Sequence, residues 1–128
     1  MIRVPVSFGE LLDKITILQI KSERIADPEK VRNVRKELAL LEGVREGLPA
    51  SDDIGGFMAD LKAVNESLWD IEEEIRQCEK KRDFGPRFIE LARSVYHEND
   101  RRGAIKRQIN QSLGSELIEE KDYSTQSA

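Results

Sequence analysis

Apolar residues recur at helical spacing along most of the chain, and turn signals cut the pattern into four segments. In the first, Phe8, Leu11, Leu12, Ile15, Leu18 and Ile25 share one broad stripe. Ser7-Phe8-Gly9-Glu10 reads as a capping box, in which the Ser7 hydroxyl accepts from the Glu10 amide and the Glu10 carboxylate reaches back. Glu10, Asp13, Lys14, Lys21 and Arg24 fall opposite the stripe, yet Ile17 interrupts them and Ile20 lies beside them. A helix apolar on two sides is central to its fold or covered by a second subunit. Asp27-Pro28-Glu29 opens a second helix: Asp caps, Pro fits the first helical position, and Glu suits the positive end. Val31, Val34, Leu38 and Leu41 step along it, and Gly47-Leu48-Pro49 ends it. The first two helices therefore form a short antiparallel hairpin.

The third segment has the cleanest period. After a loop from Pro49 to Gly56, Phe57, Leu61, Val64, Leu68, Ile71, Ile75 and Cys78 step by 4, 3, 4, 3, 4 and 3. That heptad seam predicts a long helix ending near Arg82 with coiled-coil-like packing. Asp83-Phe84-Gly85-Pro86 is a turn, Pro86 opens the fourth helix, and Gly114 suits its C-terminal cap. The fourth seam begins Phe88, Leu91, Ala92, Val95 and resumes at Ile109 and Leu113. Between them the stripe is polar, holding Asn99, Arg102 and Lys106, with Gly103 and Asn110 at its edge. Ser115 to Tyr123 reads as one further short helix, and Ser124 to Ala128 as a frayed tail. The expectation is an all-α antiparallel four-helix bundle, one short hairpin and one long. Its single domain covers residues 1–123, with a flexible tail at 124–128.

Composition sharpens this. The chain has 128 residues, 36% of them charged and 5% aromatic, which excludes a β-sandwich and excludes disorder. No stretch approaches a membrane span, and no apolar core follows Arg3 to make a secretion signal. One cysteine and one histidine exclude an internal disulfide, a cysteine zinc site and a His-paired metal site. These features point to a reducing, cytoplasmic setting, with no metal and no cofactor.

Charge is unevenly spread: net −7 over residues 51–79, then net +5 over residues 80–107. The two blocks flank one tight turn, so mutual neutralisation explains the basic run Lys80-Lys81-Arg82 more cheaply than nucleic acid does. The overall net charge of −4 and the lack of interleaved aromatics agree. Glu72-Glu73-Glu74 lacks the Glu-x-x-His partner of a di-iron bundle and reads as a solvated acidic face.

The polar seam of the fourth helix is the most informative feature, because burying such groups unpaired costs about 1–3 kcal/mol each. It is either wet, or a register-fixing device in a dimer, or an anion-receiving pocket between helices. For the pocket, Lys14, Lys21, Arg102 and Lys106 are the anion contacts, Asp13 or Glu98 the acid/base group, Asn99 a polar wall, and Trp69 a stacking surface. In each of these readings, leucine at positions 99 and 102 raises stability. Ile17 and Ile20 imply a partly covered face on the first helix, so that removing Lys14 costs about 1–2 kcal/mol.

Two stretches carry a family resemblance. Val4-Pro5-Val6-Ser7-Phe8-Gly9-Glu10-Leu11-Leu12-Asp13-Lys14-Ile15-Thr16-Ile17-Leu18-Gln19-Ile20-Lys21 is one. Tyr96-His97-Glu98-Asn99-Asp100-Arg101-Arg102, running on to Asn110 and to the closing Gly114-Ser115-Glu116…Asp122-Tyr123, is the other. Together they resemble a bacterial domain family of unknown function over nearly the whole chain. The resemblance implies no catalytic residues. It does imply a setting, because members occur beside tetratricopeptide and glycosyltransferase-type regions, which links them to surface polysaccharide. A weaker likeness joins the helical pocket to small all-helical chorismate mutases, with no motif that aligns residue by residue. Two readings stay open: a dimeric interaction or assembly module, and a binder or enzyme for a phosphate- or carboxylate-bearing metabolite.

Overall fold

A computed structural model describes residues 1–122. Four helices follow in order: α1 (Phe8–Arg24), α2 (Pro28–Arg45), α3 (Ile54–Lys81) and α4 (Pro86–Leu113). No strand occurs among the described residues. The caps are those the sequence signals. Ser7 Oγ accepts from the Glu10 amide at 3.1 Å, and Asp27 Oδ1 accepts from the Glu29 amide at 2.9 Å ahead of Pro28. At the far end Gly114 takes a left-handed φ of 69°, and the next amide, Ser115, donates to the Asn110 carbonyl at 2.8 Å. One part of the capping box differs: the Glu10 carboxylate accepts from Lys106 of α4 at 2.7 Å, a tertiary partner.

The two hairpins form as expected, and the all-α bundle is assembled around α1, which lies against all three other helices. Leu11, Leu12 and Ile15 of α1 meet Phe57, Met58 and Leu61 of α3 and Ile109 and Leu113 of α4 in one buried cluster. α2 approaches α1 alone and has no buried residue of its own; Leu38 and Leu41 cover one edge of the cluster. Full burial on α3 stops at Asn65. Past that point the heptad seam at Leu68, Ile71, Ile75 and Cys78 is only half-buried, and Leu91 is the only buried position of α4 before Lys106. The long hairpin thus outruns the core it helps to build.

Ser115 to Asp122 is not helical, which corrects the short helix expected there. The segment folds back along α4 instead: Glu119 pairs with Lys106, Glu120 with Arg107, and Lys121 Nζ donates to the Asn99 carbonyl at 3.4 Å. Tertiary ion pairs, which local spacing does not reveal, hold it against α4. Tyr123 and the tail expected at 124–128 lie outside the described residues.

Candidate functional site

The polar stripe of α4 finds its partners on α1. Arg102, Lys106 and Asn110 are spaced by four and so stack on one helix face. Gly9, Glu10 and Asp13 meet them. Asp13 has 0% exposure although its type is almost never fully buried unless paired. Arg102 grips it with two nitrogens: Nε donates at 2.9 and 3.0 Å to the two carboxylate oxygens, and Nη2 donates to Oδ2. Asn65 Nδ2 donates to Asp13 Oδ1 at 2.9 Å and to Thr16 Oγ1 at 3.0 Å, and the Thr16 hydroxyl donates to the Asp13 carbonyl at 2.7 Å. A buried carboxylate is thereby supplied with donors from two further helices, the condition under which burial is tolerated.

One turn away, Lys106 has a side chain only 8% exposed and bridges Glu10 at 2.7 Å and Glu119 at 2.6 Å. Burial works against its ammonium, but the hydrogen bonds to Glu10 and Glu119 outweigh burial and hold its pKa above the ordinary lysine value. Beyond Lys106 the Gly9 amide donates to Asn110 Oδ1 at 2.7 Å. The helices touch here because Gly9 has no side chain: a Cβ would stand 2.6 Å from the Lys106 carbonyl oxygen. Asn110 Nδ2 is buried and finds no partner among the described residues, so the side chain is placed for its carbonyl.

The eight sequence candidates separate. Asp13, Arg102 and Lys106 come together in this ladder. Asn99 is half-buried beside it and gives its backbone carbonyl to Lys121. Glu98 pairs with Arg101 of its own helix at 3.0 Å. Lys21 is half-buried in the last turn of α1. Lys14 is turned toward α2, 55% exposed and 3.9 Å from Glu37, which corrects the expectation that it is covered. Lys14→Ala is expected to change stability by less than about 0.5 kcal/mol, measurable by urea titration. Trp69 lies elsewhere, donating Nε1 to Glu73 at 2.9 Å, with the Arg24 guanidinium 5.9 Å from its ring centre.

Trp69 and Arg102 both line a groove of about 480 Å³ between α1, α3 and α4. Its floor is Ile17, Ile20, Leu68 and Trp69, and its rim carries Glu72, Glu73 and Arg76. Sequence reading missed the pairing of Asp13 with Arg102 and of Glu10 with Lys106, and the support that Asn65 and Thr16 give Asp13. The signal was present in the complementary spacing, two acids three apart on α1 and two bases four apart on α4.

Glu119 gives the ladder a pH dependence. The hydrogen bond from Lys106 holds its carboxyl below the usual glutamate range, against partial burial. A depressed folded pKa contributes stability above the unfolded value and loses it as pH falls through the folded one. The segment 115–121 is therefore expected to come away from α4 as pH falls through the depressed Glu119 value, while α1 stays helical, a step that NMR chemical shifts of its residues report. Glu119→Gln should remove that step from the pH titration.

Fold and ladder together define a small all-α protein whose first and last helices are clamped by buried charge. No group of His, Cys, Asp and Glu among the described residues is placed to hold a metal, and none of their helices is long and apolar enough to cross a membrane. The chain belongs to DUF6165, a family of unknown function, which matches residues 2–128. No curated protein and no solved structure matches it.

Proposed function

We propose that the chain is a helical assembly module that acts as a homodimer, working through the long hairpin. The observation that carries this reading is the half-buried apolar seam beyond Asn65 (Leu68, Ile71, Ile75 and Cys78), which α4 covers only in part. Such a seam is the part of a coiled-coil surface that a partner helix normally fills. The competing reading, a site for an anionic metabolite, draws less support. Arg102 and Lys106 are already matched to Asp13, Glu10 and Glu119, so an entering phosphate or carboxylate would have to displace a carboxylate. As part of the same proposal, the single thiol of Cys78 suits a reducing compartment, and we place the module in the bacterial cytoplasm. The family resemblance supports a link to surface-polysaccharide biology as part of this proposal. Sedimentation equilibrium should give twice the mass of one chain at tens of micromolar, and Ile75→Glu should halve it with helicity kept. A stable monomer for the unaltered chain would overturn the reading.

A further inference from the structure

The network around Asp13 leaves two polar atoms over, and both belong to residues that line the groove between α1, α3 and α4. Asn65 Nδ2 and Arg102 Nε donate to the same oxygen, Asp13 Oδ1, each at 2.9 Å. One carboxylate oxygen therefore holds the two side chains next to each other. A carboxylate only accepts, so the Asn65 amide turns its NH2 group to Asp13 and its Oδ1 away. That oxygen accepts from no described residue, although Asn65 is only 6% exposed. Arg102 uses Nε and Nη2 on Asp13, which leaves Nη1 without a partner among the described residues. An acceptor and a donor are thus fixed side by side beside an apolar floor of Ile17, Ile20 and Leu68, with the Trp69 indole as one wall. The charges around them are already matched: Arg102 with Asp13, Arg76 with Glu72 at 3.5 Å, and Arg24 with Asp70 and Glu66.

We propose that the groove binds a neutral planar ring with a lactam edge, an N–H and a C=O side by side, as uracil presents. The ring N–H donates to Asn65 Oδ1, and the ring carbonyl accepts from Arg102 Nη1. A guanidinium donating to a ring carbonyl is a contact by which proteins read base edges. The flat faces of such a ring suit the aliphatic floor and the indole wall, where stacking adds to apolar burial. Size agrees, because 480 Å³ lies within the roughly 300–1,000 Å³ of small-molecule sites. The two polar atoms are held by the buried Asp13 before any ligand arrives, so binding does not have to order them. A phosphate or carboxylate is disfavoured, since each arginine around the groove already has a carboxylate and Glu73 adds another on the rim. The buried network then does more than clamp α1 to α4: it presents a recognition edge. This site does not depend on dimerisation.

The test is an NMR titration of the full chain that follows the indole N–H of Trp69, the one tryptophan of the sequence, and the backbone amides of residues 65–69. Uracil should shift these signals saturably. Uracil methylated on both ring nitrogens keeps the ring and its carbonyls but has no N–H. It should bind at least about tenfold more weakly, because it leaves Asn65 Oδ1 unpaired. Asn65→Ala should weaken uracil by a similar factor, with circular dichroism confirming its helix content. The methylated ligand needs no substitution, so the comparison stands even where that variant fails to fold. Uridine monophosphate, which adds an anionic group to the same ring, should bind no more tightly than uracil. Equal binding of uracil and its methylated form would overturn the recognition edge. A monophosphate at least about tenfold tighter than uracil would make the groove an anion site and overturn the neutral ligand. No shift of these signals at millimolar uracil would overturn the site altogether.

Discussion

Replacing Arg102 by leucine is expected to lower stability by about 3 kcal/mol, with a fall in melting temperature of roughly 10 °C for a domain of this size. Sequence reasoning led to the opposite sign, because Arg102 sits where a bundle seam normally places an apolar side chain. The structure reverses it. Leucine would gain apolar burial of about 1.5–3 kcal/mol at most, and Arg102 is half-buried, so the gain is smaller. Against that stands Asp13, with no exposure and only the Asn65 amide left as a side-chain donor. An uncompensated charge there costs about 3–5 kcal/mol and outweighs the gain. Arg102→Lys should recover only part of the loss, since one ammonium cannot reproduce the two-nitrogen grip on both carboxylate oxygens. Chemical denaturation of the three proteins checks the order: unaltered, then lysine, then leucine. A more stable leucine variant would mean that the Asp13 carboxylate is not held as described.

Gly9→Ala should cost a similar amount although it adds one methyl group. On an isolated helix the change would stabilise by up to about 1 kcal/mol, because alanine is the better helix former. Here the new Cβ would stand 2.6 Å from the Lys106 carbonyl oxygen and 3.0 Å from its Cα, both backbone atoms that cannot turn aside. α1 and α4 must then separate, which stretches the 2.7 Å bond from the Gly9 amide to Asn110 and the Glu10–Lys106 pair. Overpacking of this kind costs about 1–3 kcal/mol, and the weakened polar contacts add to it, so a net loss of about 2–3 kcal/mol is expected. The penalty at Gly9 does not transfer to Gly43, whose Cβ position is open, and Gly43→Ala should stabilise instead. Thermal melts of the two alanine variants should therefore move in opposite directions.

Element boundaries were legible because they depend on neighbours in sequence. Ser7, Asp27-Pro28, Pro86 and Gly114 each mark the end of a helix where their local chemistry says they should. The seam from Phe57 to Cys78 likewise identified the face of α3 that turns inward. What periodicity does not give is the identity of the opposing helix. Glu10 and Asp13 lie opposite the apolar stripe of α1, and a single helix wheel sends that side to solvent. In the bundle α1 is surrounded, so its second face meets α4, and the charges on both become partners. The same blindness produced the helix expected after Gly114: Glu119 and Glu120 are good helix residues, but Lys106 and Arg107 hold them in a non-helical strap along α4. Lys14 shows the reverse error. It shares a helical turn with Asp13, yet the 100° between successive residues carries it round to the exposed side toward α2.

The buried pair between Asp13 and Arg102 is the center of this account, and a double-mutant cycle addresses it most directly. Asp13→Leu, Arg102→Leu and the double variant are compared with the unaltered chain by urea denaturation. Each single change should destabilise strongly, by leaving one charge without its partner. The double change should be less damaging than their sum by at least about 2 kcal/mol, because no buried charge is then left over. Losses that simply add would contradict the pairing and return the polar seam of α4 to solvent.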